Sequence, residues 1–223
     1  MGLFGYIIQN PGRVLEKLYE HIIIFGISWA VAVLIGIVIS IMVSRPGVKP
    51  RVTDTVVGIT SAAQSVPSIA VIAVVFLFTG IGMVPAIIAL FLYSLVPIIF
   101  NASSAFKTID PALKEAARGM GMSSRQILWK VEIPLIIPQL FSGIRTAATI
   151  NIGTTTIASA VGAGGLGELI FIGLRLINTS QIFAGAFPAA LLAIFIDILL
   201  SRLERRITSE GVLMDIEKHS LAH

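Results

Sequence analysis

Long runs without charge alternate along the chain with short segments that hold nearly all of its ionic residues. A helix crossing the bilayer core needs about 20 apolar residues, so the uncharged runs are measured against that length. Residues 22–44 are free of charge between Glu20 and Arg45, with His21 at the edge, and residues 55–106 hold no Asp, Glu, Lys or Arg. The second run is long enough for two spans, and Thr79-Gly80-Ile81-Gly82 supplies the break between them. A fourth run lies within 135–161, interrupted only by Arg145, and a fifth near 180–200 carries the single charge of Asp197. The pattern predicts an all-α, polytopic membrane protein. Its spans fall near 22–44, 56–78, 84–102, 135–161 and 180–200, within a single membrane domain covering 1–223. The first span is too long for a signal-peptide core and has no short apolar stretch with a small-residue cleavage site before it, so it is expected to stay in the mature chain.

Composition agrees with this reading. Hydrophobic residues make up 56% of the 223 positions and charged residues 13%, with a mean hydropathy of +0.94, against roughly 45–50% and about 25% in soluble domains. There is no cysteine, and His21, His219 and His223 are too dispersed to suggest a metal site, so neither a disulfide framework nor a metal is expected, and no cofactor in this chain. The formal charge of +4 would suit nucleic acid, but the basic residues form no stripe; they fall in the short segments between apolar runs. That is a topological signal, because cytoplasmic loops carry the excess of Lys and Arg. With the N-terminus outside, the inner segments hold Arg45, Lys49, Arg51, Lys107, Lys114, Arg118, Arg125, Lys130, Arg202, Arg205, Arg206 and Lys218; the outer ones hold Arg13, Lys17 and Arg175. An outside N-terminus and inside C-terminus in the cell membrane are therefore expected.

Residues 107–134, between the third and fourth spans, are organised as a folded loop. Asp110-Pro111 offers an N-cap and a first-turn proline for a helix reaching about Arg118, which Gly119 and Gly121 then stop. Ser123 and Gln126 have capping-box spacing and open a second helix, expected to end before Pro134. Glu115-Ala116-Ala117, Gly121 four residues after Ala117, and then Val131-Glu132-Ile133-Pro134 resemble the EAA loop of ABC-importer permeases, with Val131 and Ile133 at its aliphatic positions. The resemblance implies that Glu115, Ala116, Ala117, Gly121, Val131, Ile133 and Pro134 dock into a cytoplasmic ABC ATPase subunit and pass nucleotide-driven motion to the spans. An amphipathic helix lying on lipid, held by Lys114, Arg118, Arg125 and Lys130, would account for the charges alone. It leaves the glycine between the two helices without a reason.

The resemblance extends over most of the chain. Gln64-Ser65-Val66-Pro67-Ser68, Gly80-Ile81-Gly82, Tyr93-Ser94-Leu95-Val96-Pro97-Ile98, Asn101, Gly143-Ile144-Arg145-Thr146-Ala147 and Gly162-Ala163-Gly164-Gly165-Leu166-Gly167 are similar to the osmoprotectant branch. The resemblance thus implies a substrate of the glycine betaine, carnitine or choline type, with permeases for methionine or another amino acid as the rival. It also implies a second permease copy or paralogue and an extracytoplasmic substrate-binding protein, besides the surrounding membrane lipid.

Polar groups inside spans are costly unless they face protein or water, which makes them pathway candidates. Gln64, Ser65, Asn101, Asn151, Thr154, Thr155 and Thr156 belong here, with Pro67 and Pro97 as possible kink positions. Hydrogen bonding within the bundle is the competing role for the hydroxyls. Arg145 and Asp197 are expected to pair with each other, against snorkelling or contact of Asp197 with Arg202 or Arg205. Gly162, Gly164 and Gly167 fit G-x-G-x-x-G but lack the preceding strand of a dinucleotide site, and no P-loop motif occurs, so ATP hydrolysis must come from a partner. Two other classes stay open: a channel or ion-coupled carrier, which calls for more intramembrane carboxylates than Asp197, and a membrane enzyme, which needs a catalytic constellation that is not visible here.

Overall fold

The computed structural model describes residues 2–45 and 48–208; Lys218, His219 and His223 lie outside the described residues. Among the described residues every element is helical. A short α1 (Gly5–Gln9) leads into α2 (Pro11–Ser44), followed by α3 (Pro50–Ala63), α4 (Ser68–Thr79), α5 (Met83–Thr108), α6 (Pro111–Gly119), α7 (Ser124–Ile127), α8 (Ile133–Ala158), α9 (Leu166–Arg175) and α10 (Thr179–Ile207). Among the described residues four helical stretches have the length and hydropathy to cross a membrane: α2, α5, the run Ser124–Val161 that contains α8, and α10.

The expected second span is broken. Its two halves, α3 and α4, meet at 97°, so it forms one bent span or a re-entrant pair, and the count is four or five. The cause is local: Pro67 has no N–H to continue the helix and takes an extended ψ of 133° as the N-cap of α4. Pro97, by contrast, is carried inside an unbroken α5. At the other ends the helices outrun the sequence boundaries, α2 beginning at Pro11 and α10 ending at Ile207. The stretch after Gly165, expected as an outer loop, contains the ten-residue α9.

A second correction concerns Pro134. The helix opened by Ser123 does not end before it. It passes through a π-helical turn, Leu128–Glu132, straight into α8. In the widened turn Ile133 N–H reaches Leu128 C=O five residues back, and Pro134 follows directly as the second residue of α8.

The core lies where α5 packs between α2 and α8. Phe25, Ala32, Ile98, Ile144, Ala147, Ala148, Ile152 and Leu200 form its centre. The alanines and Gly143 bring the backbones close: a Cβ on Gly143 would stand 2.9 Å from the Pro97 carbonyl oxygen. Close packing of small residues replaces the hydrophobic effect as the source of helix association in lipid. Large apolar side chains point outward instead, among them Leu77, Phe78 and Phe195.

Candidate functional site

The loop between α5 and α8 is built by short-range capping. The Asp110 carboxylate accepts from the Ala112 N–H at 2.8 Å and starts α6, and Pro111 occupies the first turn. α6 ends in a Schellman arrangement. Met122 N–H reaches Ala117 C=O at 3.1 Å and Gly121 N–H reaches Arg118 C=O at 2.9 Å. That closure requires a left-handed residue, supplied by Gly121 at φ +79°. The Ser123–Gln126 capping box then starts α7, with Ser123 N–H donating to Gln126 Oε1 at 2.8 Å.

One ion pair ties the two arms together. Lys114 Nζ on α6 lies 2.8 Å from Glu132 Oε1 in the π-helical turn, and the Glu132 side chain is 2% exposed. Ala117, Ile127 and Leu128 are buried, and Leu128 joins Ala105, Phe106, Ile109 and Ile136 in an apolar cluster flanked by Ile41, Ile133 and Leu135. The motif residues therefore divide. Ala117 holds the loop together from within, while Ile133, beside half-buried Val131 and Pro134, packs against the bundle. Glu115, Ala116 and Gly121 face outward, next to Met120 at 74% exposure. Sequence reasoning missed the pairing of Lys114 with Glu132. Eighteen positions separate the two, and no periodicity links them.

Within the spans, Arg145 donates from Nε and Nη2 to the two oxygens of Asp197 at 2.9 and 3.2 Å, and from Nη1 to Glu204 at 3.3 Å. Glu204 was not anticipated; it lies two turns beyond Asp197 on α10, on the same helix face. Neither Arg202 nor Arg205 reaches Asp197 among the described residues.

The polar span residues occupy two settings. Asn151 is fully buried and donates to Ser94 Oγ at 2.7 Å and Ser28 Oγ at 2.9 Å, joining α8 to α5 and α2, and Thr154 and Thr155 are buried near it. Asn101 is half-buried and donates to the Pro97 carbonyl at 2.8 Å, where Gly143 makes its close approach. Gln64, Ser65 and Pro67 are exposed at the α3–α4 break, and Gln64 borders a small recess with Tyr93, Val96, Pro97 and Ile150. α8 presents an exposed polar row outside these positions, Ser142, Thr146 and Thr149, at spacings of four and three and continued by Gly153. Together with Arg145, Ile150 and Asp197, the first three line an open groove of about 400 Å³. Sequence reading overlooked this row, although its helical periodicity was there to be read. The glycine-rich stretch packs tightly: Gly167 lies against the Thr156 carbonyl and Ser159, and Gly165 N–H donates to Glu20 at 2.8 Å.

The family model for the binding-protein-dependent transport system inner membrane component matches residues 32–209. A choline transport system permease protein of Bacillus subtilis is 38% identical over 93% of this chain and 94% of its own length. An osmoprotectant import permease protein of Salmonella typhimurium is 37% identical over 95% of this chain and the whole of its own. A carnitine transport permease protein of Listeria monocytogenes is 37% identical over 92% of each. Among solved structures, a chain of an inward-facing MetNI methionine ABC transporter superposes with a TM-score of 0.78 at 24% identity, covering 90% of this chain and 99% of that one, a likeness of fold.

Proposed function

The chain belongs to the binding-protein-dependent transport system inner membrane component family, and from that membership we propose that it is one half of the permease of an ABC importer for a compatible solute of the glycine betaine, carnitine or choline class. The importing ATPase is a separate subunit that docks on the α6–α7 loop, the second permease is a copy or paralogue of this chain, and solute arrives on an extracytoplasmic binding protein. The N-terminus lies outside and the C-terminus inside, in keeping with the basic residues around the loop. The solute class rests on relatives that serve choline, carnitine or osmoprotectants. The methionine alternative has only a fold-level likeness behind it.

One observation carries the coupling role: the loop is continuous with a membrane-crossing helix. Ser124–Val161 is a single 38-residue helical run, so force applied to α7 enters α8 without passing through a flexible joint. α8 bears Arg145 and the exposed polar row, which makes the groove face the candidate solute pathway.

The experiment begins with purification in mild detergent and mass spectrometry of the co-eluting chains, in which an ABC ATPase should appear. Uptake of labelled choline, glycine betaine and carnitine is then compared for the parent, Gly121→Asn and Gly121→Glu. Asn tolerates the left-handed conformation and keeps part of the uptake, whereas Glu strains the turn, adds charge to the docking face and abolishes it with the protein still in the membrane. Normal uptake by Gly121→Glu with the ATPase still bound refutes the coupling role. Uptake of methionine alone refutes the solute class.

A further inference from the structure

Where α2 ends and α7 begins, two hollows of opposite character share one side chain. The larger, about 460 Å³, is lined by Arg45, Ser124, Arg125, Leu128 and Trp129. The smaller, about 130 Å³, is an apolar slot between α2, α5 and α8, whose walls include Ile37, Ile41, Phe106, Ile136, Leu140 and again Trp129. Ser40 also lies in the slot, but its hydroxyl donates to the Gly36 carbonyl at 2.7 Å, so it presents no free polar group. Nearby lysines are neutralised within the chain, Lys107 by Asp54 and Lys114 by Glu132, whereas Arg45 and Arg125 have no carboxylate partner among the described residues.

We propose that these hollows form one binding site for an anionic phospholipid, the phosphate lying between Arg45 and Arg125 beside the Ser124 hydroxyl and one acyl chain following Trp129 into the slot. Three observations converge on a lipid. Two unpaired guanidinium groups suit a phosphate, which they bind through several donors at once. Trp129 is 57% exposed and lies just before the start of α8, and tryptophan is enriched at membrane interfaces. The slot is close in size to apolar cavities of ~150 Å³ that take up small hydrocarbons, so its walls offer dispersion contacts to a few methylene groups of a chain. An acidic protein surface or a free phosphate satisfies the arginines but leaves the slot unfilled. A bound lipid would also touch the π-helical turn, giving it a hold on the joint between the loop and α8. The site is independent of which solute is carried.

The test uses the full chain in its assembled transporter, purified in mild detergent and exposed to mixed micelles of phosphatidylglycerol or phosphatidylcholine, with bound lipid counted by native mass spectrometry. The parent retains phosphatidylglycerol in preference to phosphatidylcholine. Each basic residue near an anionic lipid surface is worth about five-fold, so Arg45→Gln with Arg125→Gln lowers that preference about thirty-fold. Ile41→Phe fills the slot and leaves the arginines in place. It reduces retention of both lipids, and it keeps the proposal testable if the double arginine variant fails to fold. Unchanged phosphatidylglycerol retention in the double variant, or in Ile41→Phe, overturns the site. Displacement of the lipid by inorganic phosphate at equal concentration overturns the acyl-chain part. Loss of the ATPase subunit from the double variant with lipid retained assigns the arginines to a protein contact and overturns the proposal.

Discussion

Removing Lys114 strands a buried carboxylate, and the size of the effect follows from the geometry of the loop. Lys114 Nζ and Glu132 Oε1 are 2.8 Å apart. At an effective dielectric constant near 20 two unit charges at that distance attract by about 6 kcal/mol. Desolvation of Glu132 offsets most of this, so the intact pair contributes little net stability, yet removing one partner of a buried pair costs about 3–5 kcal/mol. The Lys114 side chain is 26% exposed and water partly takes its place. The expected cost of Lys114→Met is therefore at the lower end, about 3 kcal/mol. For a chain of this size that corresponds to a fall in Tm of about 6–12 °C. Because the second oxygen of Glu132 has no hydrogen-bond partner even in the parent, it offers no alternative anchor for the charge. Glu132→Gln in the Lys114→Met background removes the stranded charge and keeps the shape, so it restores most of the loss. Thermal unfolding of the purified transporter, with solute uptake measured in parallel, checks both steps. Equal Tm for Lys114→Met and the double variant refutes the reasoning, as does a single variant as stable as the parent.

Four further outcomes concern the spans and their orientation. Arg145→Gln leaves Asp197 and Glu204 uncompensated, whereas Asp197→Asn still leaves Arg145 with Glu204. At about 2.5–3.5 kcal/mol per charge on insertion scales, Arg145→Gln should reduce folded yield and uptake more than Asp197→Asn, and equal losses contradict the three-membered arrangement. Asn151→Ala removes the donor shared by Ser28 and Ser94 and should lower Tm, by about 1–3 kcal/mol of stability. Thr149→Val on the open groove should alter uptake with Tm unchanged, and a reversal of these two readouts moves the pathway from the groove to the buried residues. Since the chain has no cysteine, a single one at Ser124 should resist an impermeant thiol reagent in intact cells while one at Thr79 reacts, and the opposite labelling inverts the proposed topology.

What the sequence disclosed was what depends on neighbours in sequence. The Asp110 cap, the Ser123–Gln126 box and the turn at Gly121 each involve residues within five positions of one another, and all three are formed. Long apolar runs announce spans because the bilayer imposes their length. Prolines were legible as positions but not as outcomes. Pro67 opens α4 after a break at which the two helices meet at 97°, Pro97 stays within an intact helix, and Pro134 follows a π-helical turn. Which of these occurs depends on how surrounding helices satisfy the freed carbonyls, and that is a tertiary matter. The same limit hid Glu132 as the partner of Lys114, and Glu204 beside Asp197. Polarity alone named Gln64, Ser65, Asn151, Thr154 and Thr155 as one group, and only packing separates the buried Asn151, Thr154 and Thr155 from the exposed Gln64 and Ser65.

The arrangement of contacts along α8 constrains how a displacement of the loop is absorbed. α8 is 26 residues long, about 39 Å at 1.5 Å per residue, and the π-helical turn joins it to α7 without a break. Its attachments run along its length, from buried Ile136 near its start through Asn151, bonded to α2 and α5, to buried Ala158 at its end. Gly143 is pressed against Pro97 and Asn101 of α5, and two residues on, Arg145 is held by α10. A Cβ at Gly143 would collide with the α5 backbone, so the two helices cannot slide past each other there without losing contact. Under the proposed coupling, motion entering at Ile133 is carried along α8 as a whole, and Thr146 and Thr149 move with it. Those are exposed polar positions of the helix. The loop and the groove thus belong to one continuous helical run, and the ion pair ties the groove level of that run to α10.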